Sequence, residues 1–289
     1  YIAHKDGYGE ICSESVAFQE TGARLVGDMT PGTVYYFSQN GQIQKEKIVD
    51  PTPAHCFFEW NYFAHQDSRL NDLDVMTLRQ RLGEALAKEF NPDADFVTFV
   101  PQSPELAARA YSEYTGIPFL DVFYKINSGR SFQQPTQDQR TRSIENNLFL
   151  LPNIAPQLYN KKLVVIDDSR VRGTVDKHVK SLLYEKTKVA SIDYLLYTPP
   201  IGIIGNDGIP RGCTFGIDMP PQENEHHKFI ARGKTIEEMR KENGINFHYL
   251  SLEGMLRTYE SLGMSSNKLC IYCVGGDHPF ERVQINIKK

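Results

Sequence analysis

One stretch, Lys162 to Thr174, constrains the fold of this chain more than any other. Leu163-Val164-Val165-Ile166 is an unbroken apolar run of strand length, which suits a strand buried on both faces of a parallel sheet. The run ends in two adjacent carboxylates, Asp167 and Asp168. Ser169-Arg170-Val171-Arg172-Gly173-Thr174 follows, and then a helical segment from Val175 to Tyr184. This is a βα unit with a polar tip, and the tip suits a phosphorylated ribose. Adjacent carboxylates at a strand's carboxyl end accept hydrogen bonds from vicinal hydroxyls and help to place Mg²⁺. Backbone N–H groups of the turn, with the helix N-terminus, hold a dianionic phosphate. Gly173 permits close backbone approach, and Ser169 and Thr174 add hydroxyl donors. Two acids after a strand also occur in turns that bind nothing, so the pair alone is a weak signal and the whole string a stronger one. Neither GxxxxGK followed by Ser or Thr nor GxGxxG occurs in the chain.

The surrounding pattern alternates helix and strand from about residue 74. The spacing predicts helices over 75–90, 104–115, 175–184 and 235–242. Thr235 and Glu238 stand at capping-box spacing in the last of these, with Gly244 as its stop. It predicts strands over 96–100, 118–124, 163–166 and 189–197, and a long polar loop over 126–143. This alternation predicts an α/β fold with a largely parallel sheet. Residues 1–50 read as short strands and turns, and Pro51-Thr52-Pro53 marks a junction because two prolines in three residues break regular structure. Residues 202–211, with Gly202, Gly205 and Gly208, read as an inserted loop.

With 289 residues the chain can bury a sizeable core. A net charge of −4 offers no overall basic field for nucleic acid, and no apolar run of membrane-spanning length occurs, so neither nucleic acid nor membrane is expected as a partner. Five cysteines spread over such a length do not form a secreted disulfide framework, which favours a cytoplasmic setting. Cys270-Ile271-Tyr272-Cys273 is a CxxC pair, and Cys56 and Cys213 lie far away in sequence. Four such thiolates can hold Zn²⁺ or an iron–sulfur cluster, and their spacing does not choose between them. Buried thiols without a metal are the plain alternative. Cys12 reads as a core thiol in a strand.

Six ordered segments resemble the amidophosphoribosyltransferases of purine synthesis: Cys56 to Ser68, Gly129-Arg130-Ser131-Phe132 with Gln134-Pro135-Thr136-Gln137, Val164 to Thr174, Phe215 to Pro220, Tyr249 to Gly254, and Cys270 to Gly275. The resemblance implies a type I phosphoribosyltransferase fold over residues 51–289, with a cysteine-containing C-terminal extension. It implies that residues 1–50 are the last strands of an Ntn-type glutaminase domain. It implies transfer of ammonia, glutamine-derived in the full enzyme, to 5-phosphoribosyl-1-pyrophosphate, giving 5-phosphoribosylamine. By the resemblance, Asp167, Asp168 and Ser103 face Mg²⁺ and substrate. Ser169, Val171, Arg172, Gly173 and Thr174 match the 5′-phosphate loop. Lys125 and Arg130 belong to a loop that closes on the pyrophosphate and act in catalysis. One branch of the family carries a structural [4Fe–4S] cluster on positions matched by Cys56, Cys213, Cys270 and Cys273. Purine nucleotide inhibitors and a homo-oligomer are further expectations.

The chain also departs from the family. No residue matches the amino-terminal cysteine nucleophile of the glutaminase half, and Cys12 is no substitute. Pro101-Gln102-Ser103-Pro104 lacks the usual acid and glycine around the serine. The 125–129 segment is one residue short, Arg170 stands where a branched apolar residue is usual, and Val175 replaces a threonine. These changes raise two other readings: a non-catalytic module that binds the sugar pyrophosphate, or a transferase that uses another amine.

Overall fold

The computed structural model describes residues 1–38, 41–126, 137–215, 217, 219–224 and 228–280. They form two compact units. One holds Tyr1–Leu78 and Tyr259–Cys270 with the segment from Pro279; the other holds Arg79–Thr258 and Ile271–His278.

In the first unit, Ile2–Lys5 pairs antiparallel with both Tyr8–Ile11 and Arg24–Gly27, and Thr33–Phe37 forms a hairpin with Ile43–Lys47. The expected junction at Pro51 lies within this unit. Its core gathers Phe57, Phe58, Trp60 and Tyr259. The Trp60 and Tyr259 rings meet edge-on at 6.0 Å, and the Tyr259 hydroxyl donates to the Phe57 carbonyl and to Asn61 Oδ1. Cys12 follows the Tyr8–Ile11 strand and is half-buried, so it is not the strand core thiol expected from sequence.

The second unit carries the α/β architecture. Helix α1 (Val75–Glu89) enters it, followed by β1 (Phe96–Phe99), α2 (Glu105–Thr115), β2 (Phe123–Lys125), α3 (Gln137–Glu145) and β3 (Leu148–Leu150). Then come β4 (Lys162–Asp167), α4 (Thr174–Ser181), β5 (Ser191–Leu196), α5 (Ile236–Asn243), β6 (Asn246–Tyr249) and α6 (Leu252–Ser261). The central sheet runs β6-β5-β4-β1, all parallel. On one face Leu163 and Val165 pack with Tyr194, Leu196 and Phe247 beneath Val179, Leu183 and Met239. The predicted capping box forms on α5, with Gly244 at φ 62° closing it.

Two readings of the sequence change. The 126–143 segment contains a helix, α3, among its described residues. Only one of its nine residues, Ile144, is apolar, so no period was visible, and burial of Ile144 in the core anchors it. The 118–124 segment contributes a single parallel bridge at Phe119, and the strand proper is β2, which pairs antiparallel with β3. No helix among the described residues is long and apolar enough to cross a membrane.

Candidate functional site

The sheet brings the candidate residues to one edge. Strands β1 and β4 are parallel neighbours, and the Val100 N–H donates to the Ile166 carbonyl at 3.0 Å. The loop carrying Ser103 therefore leaves the sheet beside the Asp167–Gly173 turn. Carboxyl ends of adjacent parallel strands are where α/β sheets collect ligands. Ser103 is half-buried, just before α2.

The two acids differ in their surroundings. Asp167 shares a sheet face with Val165, so it turns toward the core, and its Oδ2 accepts the Tyr194 hydroxyl at 2.6 Å. Burial, and then the charge of Asp168, hold its carboxyl well above the usual carboxylate range. Burial and the same Asp167 hold the Tyr194 hydroxyl well above its ordinary value, so it remains a donor. Asp168 lies past the strand end. Its Oδ2 accepts the Ser169 hydroxyl at 2.6 Å, and burial pushes its carboxyl up to about 6. The charges of Arg79 and Lys125 act on it in the opposite direction. Asp168 is thus the acid that cations approach, while Asp167 is anchored from inside.

The turn is built for a fixed shape. Gly173 sits at φ 72° as the N-cap of α4, a left-handed conformation that favours glycine. The Val171 carbonyl accepts the Ile230 N–H at 2.9 Å. Arg170 plunges into the core, 3% exposed, and its Nη2 pairs with Asp176 Oδ2 at 2.9 Å. Thr174 opens α4, and Arg172 and Ser169 are half-buried. Lys125 ends β2, opposite Leu148. Arg130 lies outside the described residues.

Sequence reasoning missed Arg79, Tyr194 and Asp176. Arg79 left a trace: it is 3% exposed and falls on the buried α1 stripe of Val75, Leu78, Leu82 and Leu86. Tyr194 left none, because its partner follows from the β4–β5 register. Replacing Tyr194 by Phe leaves the buried Asp167 oxygen without this donor. The expected destabilisation is about 1–3 kcal/mol. Urea unfolding of parent and variant checks this, and unchanged stability would contradict it.

The thiols fall in both units. Cys56 and Cys270 are directly paired in parallel strands of the first unit, and Cys213 and Cys273 belong to the second. All five cysteines are among the described residues and none is in a disulfide. Among the described residues, no group of three or more His, Cys, Asp or Glu is gathered in metal-binding geometry. For Mg²⁺ this is no obstacle, because that ion takes one or two carboxylates and fills its shell with water and substrate phosphates. For a four-thiolate cluster, the structure supplies one adjacent pair.

No protein-family model matches the chain. It is 33% identical over 280 residues to an amidophosphoribosyltransferase of Methanothermobacter thermautotrophicus, covering 96% of this chain and 55% of that protein. It is 31% identical over 277 residues to that of Bacillus subtilis, covering 95% and 55%. The fold matches the B. subtilis glutamine phosphoribosylpyrophosphate amidotransferase complexed with ADP and GMP. There the TM-score is 0.78 and the identity 29%, over 96% of this chain and 58% of that one. The chain spans about half the length of the curated relatives it matches.

Proposed function

Because this chain is a homologue of the amidophosphoribosyltransferases, across the roughly half of them that it spans, we propose that it is a phosphoribosyltransferase acting on 5-phosphoribosyl-1-pyrophosphate. The observation that carries the proposal is Asp168 at the carboxyl end of β4, joined to the 169–174 turn and approached by the charges of Arg79 and Lys125. In this reading the backbone N–H groups of the turn and the start of α4 bind the 5′-phosphate, with Ser169, Val171, Arg172, Gly173 and Thr174 forming its wall. Asp168 faces the ribose hydroxyls with Ser103 beside it, and Asp167, turned toward the core, backs Asp168 from behind. Asp168, Asp167 and Ser103 would hold Mg²⁺ together with the substrate, and the ion would supply positive charge for the pyrophosphate leaving group. Lys125 and Arg130 add positive charge to the same leaving group.

The reaction asks for little covalent chemistry from the protein. The ammonia lone pair forms the new bond to C1 of the sugar as the C1–oxygen bond breaks. Pyrophosphate leaves with that electron pair, and the attacking nitrogen then sheds a proton. The protein's task is to orient the two reactants and to stabilise the departing charge. Incubation with the sugar pyrophosphate, Mg²⁺ and ammonium should release pyrophosphate continuously. A folded protein that binds the sugar pyrophosphate but releases none would favour the non-catalytic module, a reading that the altered 101–104 loop supports. Release with another amine but not with ammonium would identify a different acceptor. No binding at all would defeat the proposal. Residues 1–50 as the end of a glutaminase domain, residues 51–289 as the transferase domain, glutamine as ammonia source, purine nucleotide inhibition, a homo-oligomer and a cytoplasmic setting belong to the same reading, by analogy with the relatives.

The [4Fe–4S] cluster rests on the four-cysteine match, with the Cys56–Cys270 pairing in its favour. Protein purified without air should carry about four irons and four acid-labile sulfides per chain, as such a cluster requires. Cys270→Ser should lose them. Colourless protein with zinc or with no metal would contradict the assignment.

A further inference from the structure

We propose that the buried Arg170–Asp176 ion pair is an internal clamp that holds the phosphate-binding turn in its binding shape before any ligand arrives. The inference rests on the reading of residues 169–174 as a 5′-phosphate loop and assigns a positioning role to a residue that departs from the family pattern. Arg170 is the second residue of that loop, and Asp176 lies in the first turn of α4. Their side chains are 2% and 3% exposed and meet at 2.9 Å, so a buried crosslink spans the loop from within. The guanidinium also lies 3.9 Å from the Phe247 ring centroid, and its Nη1 contacts Met239 Sδ at 3.7 Å. Arg170 is therefore committed to the core and is not a phosphate ligand.

Two further contacts show that the loop is shaped around this pair. A Cβ on Gly173 would stand 3.3 Å from both Arg170 Nη2 and Asp176 Oδ1, so the backbone lies directly against the ion pair. The Val171 carbonyl is fixed by the Ile230 N–H. A branched apolar residue at position 170 would fill such a site without desolvating a charge. A buried ion pair contributes little net stability over apolar packing, and its better-attested use is to specify one conformation. Arg170 also neutralises Asp176, whose carboxylate would otherwise oppose an anion at the α4 N-terminus.

The test replaces the pair by apolar residues, since removing one partner alone strands a buried charge. Arg170→Leu with Asp176→Leu should keep a cooperative thermal transition near that of the parent. It should raise KM for the sugar pyrophosphate about tenfold or more and weaken ribose 5-phosphate binding by a similar factor. It should move kcat far less, since an unformed loop reduces the fraction of protein able to bind. Arg170→Lys keeps the charge but loses the planar stack, and should fall between. Hydrogen exchange on the parent protein without ligand should find the 169–174 amides protected. Folded variants with parental KM and ribose 5-phosphate affinity would overturn the clamp, as would unprotected amides in the parent. A parent protein that binds no ribose 5-phosphate would instead defeat the phosphate-loop reading itself, and the clamp with it.

Discussion

Asp168→Asn should abolish most transferase activity and at the same time make the ligand-free protein more stable. Its carboxyl is raised to about 6 by burial, above the ordinary aspartate value. Between roughly pH 4 and that value, the folded protein holds a proton that the unfolded chain has already lost. Stability therefore falls as pH rises through this window, and above it the free protein bears the full effect of a buried carboxylate. Asparagine keeps the shape and can still accept the Ser169 hydroxyl, but it never ionises. The expected gain is about 1–3 kcal/mol near pH 8, disappearing below about pH 4 where the aspartate is protonated. Activity should fall by about 10²–10³-fold, as when one preorganised electrostatic partner is removed from a reaction centre. Denaturant unfolding at both pH values, with pyrophosphate release, checks the two halves together. Lower stability at high pH, or activity within a few-fold of the parent, would contradict the assignment.

Gly83→Ala should be strongly damaging for a change of a single methyl group. Gly83 lies in α1, and a Cβ built there would stand 2.1 Å from the Ala107 carbonyl oxygen and 2.8 Å from the Ala107 Cα in α2. The obstacle is backbone, so a rotamer change cannot relieve it. Either α1 or α2 must move, and Ala107 is fully buried, which leaves no space behind it. We expect a loss of about 3 kcal/mol or more, since overpacking against a fixed helix exceeds the usual range for core enlargements. For a chain of this size the melting temperature should drop by about 5–10 °C. Because α2 follows directly on Ser103, activity should fall beyond what the loss of folded protein explains. An unchanged melting temperature would show that the two helices separate readily.

What the sequence made legible follows from how local each signal is. Strand β4 and its acid-ended turn were readable because one continuous string carries them: an apolar run, two carboxylates, then Gly173 at a helix start. The α5 cap was readable because Thr235 and Glu238 act within one turn. Helix α3 was not, since its polar sequence gives no period and its one apolar residue, Ile144, acts through tertiary packing. The Tyr194–Asp167 hydrogen bond joins residues on neighbouring strands, and its existence depends on Val165 pairing with Tyr194. Arg170 shows the limit most sharply. From sequence it is a cation in a phosphate loop, yet its charge is directed inward, to Asp176 and the face of Phe247. Residue type alone gave it no role, whereas burial makes it part of the scaffold.

The most direct test is a crystal structure of this chain soaked with 5-phosphoribosyl-1-pyrophosphate and Mg²⁺. The 5′-phosphate should lie within hydrogen-bond distance of backbone N–H groups from 169–174, with the ribose hydroxyls at Asp168. A sugar phosphate bound at full occupancy elsewhere, with that turn empty, would contradict the account.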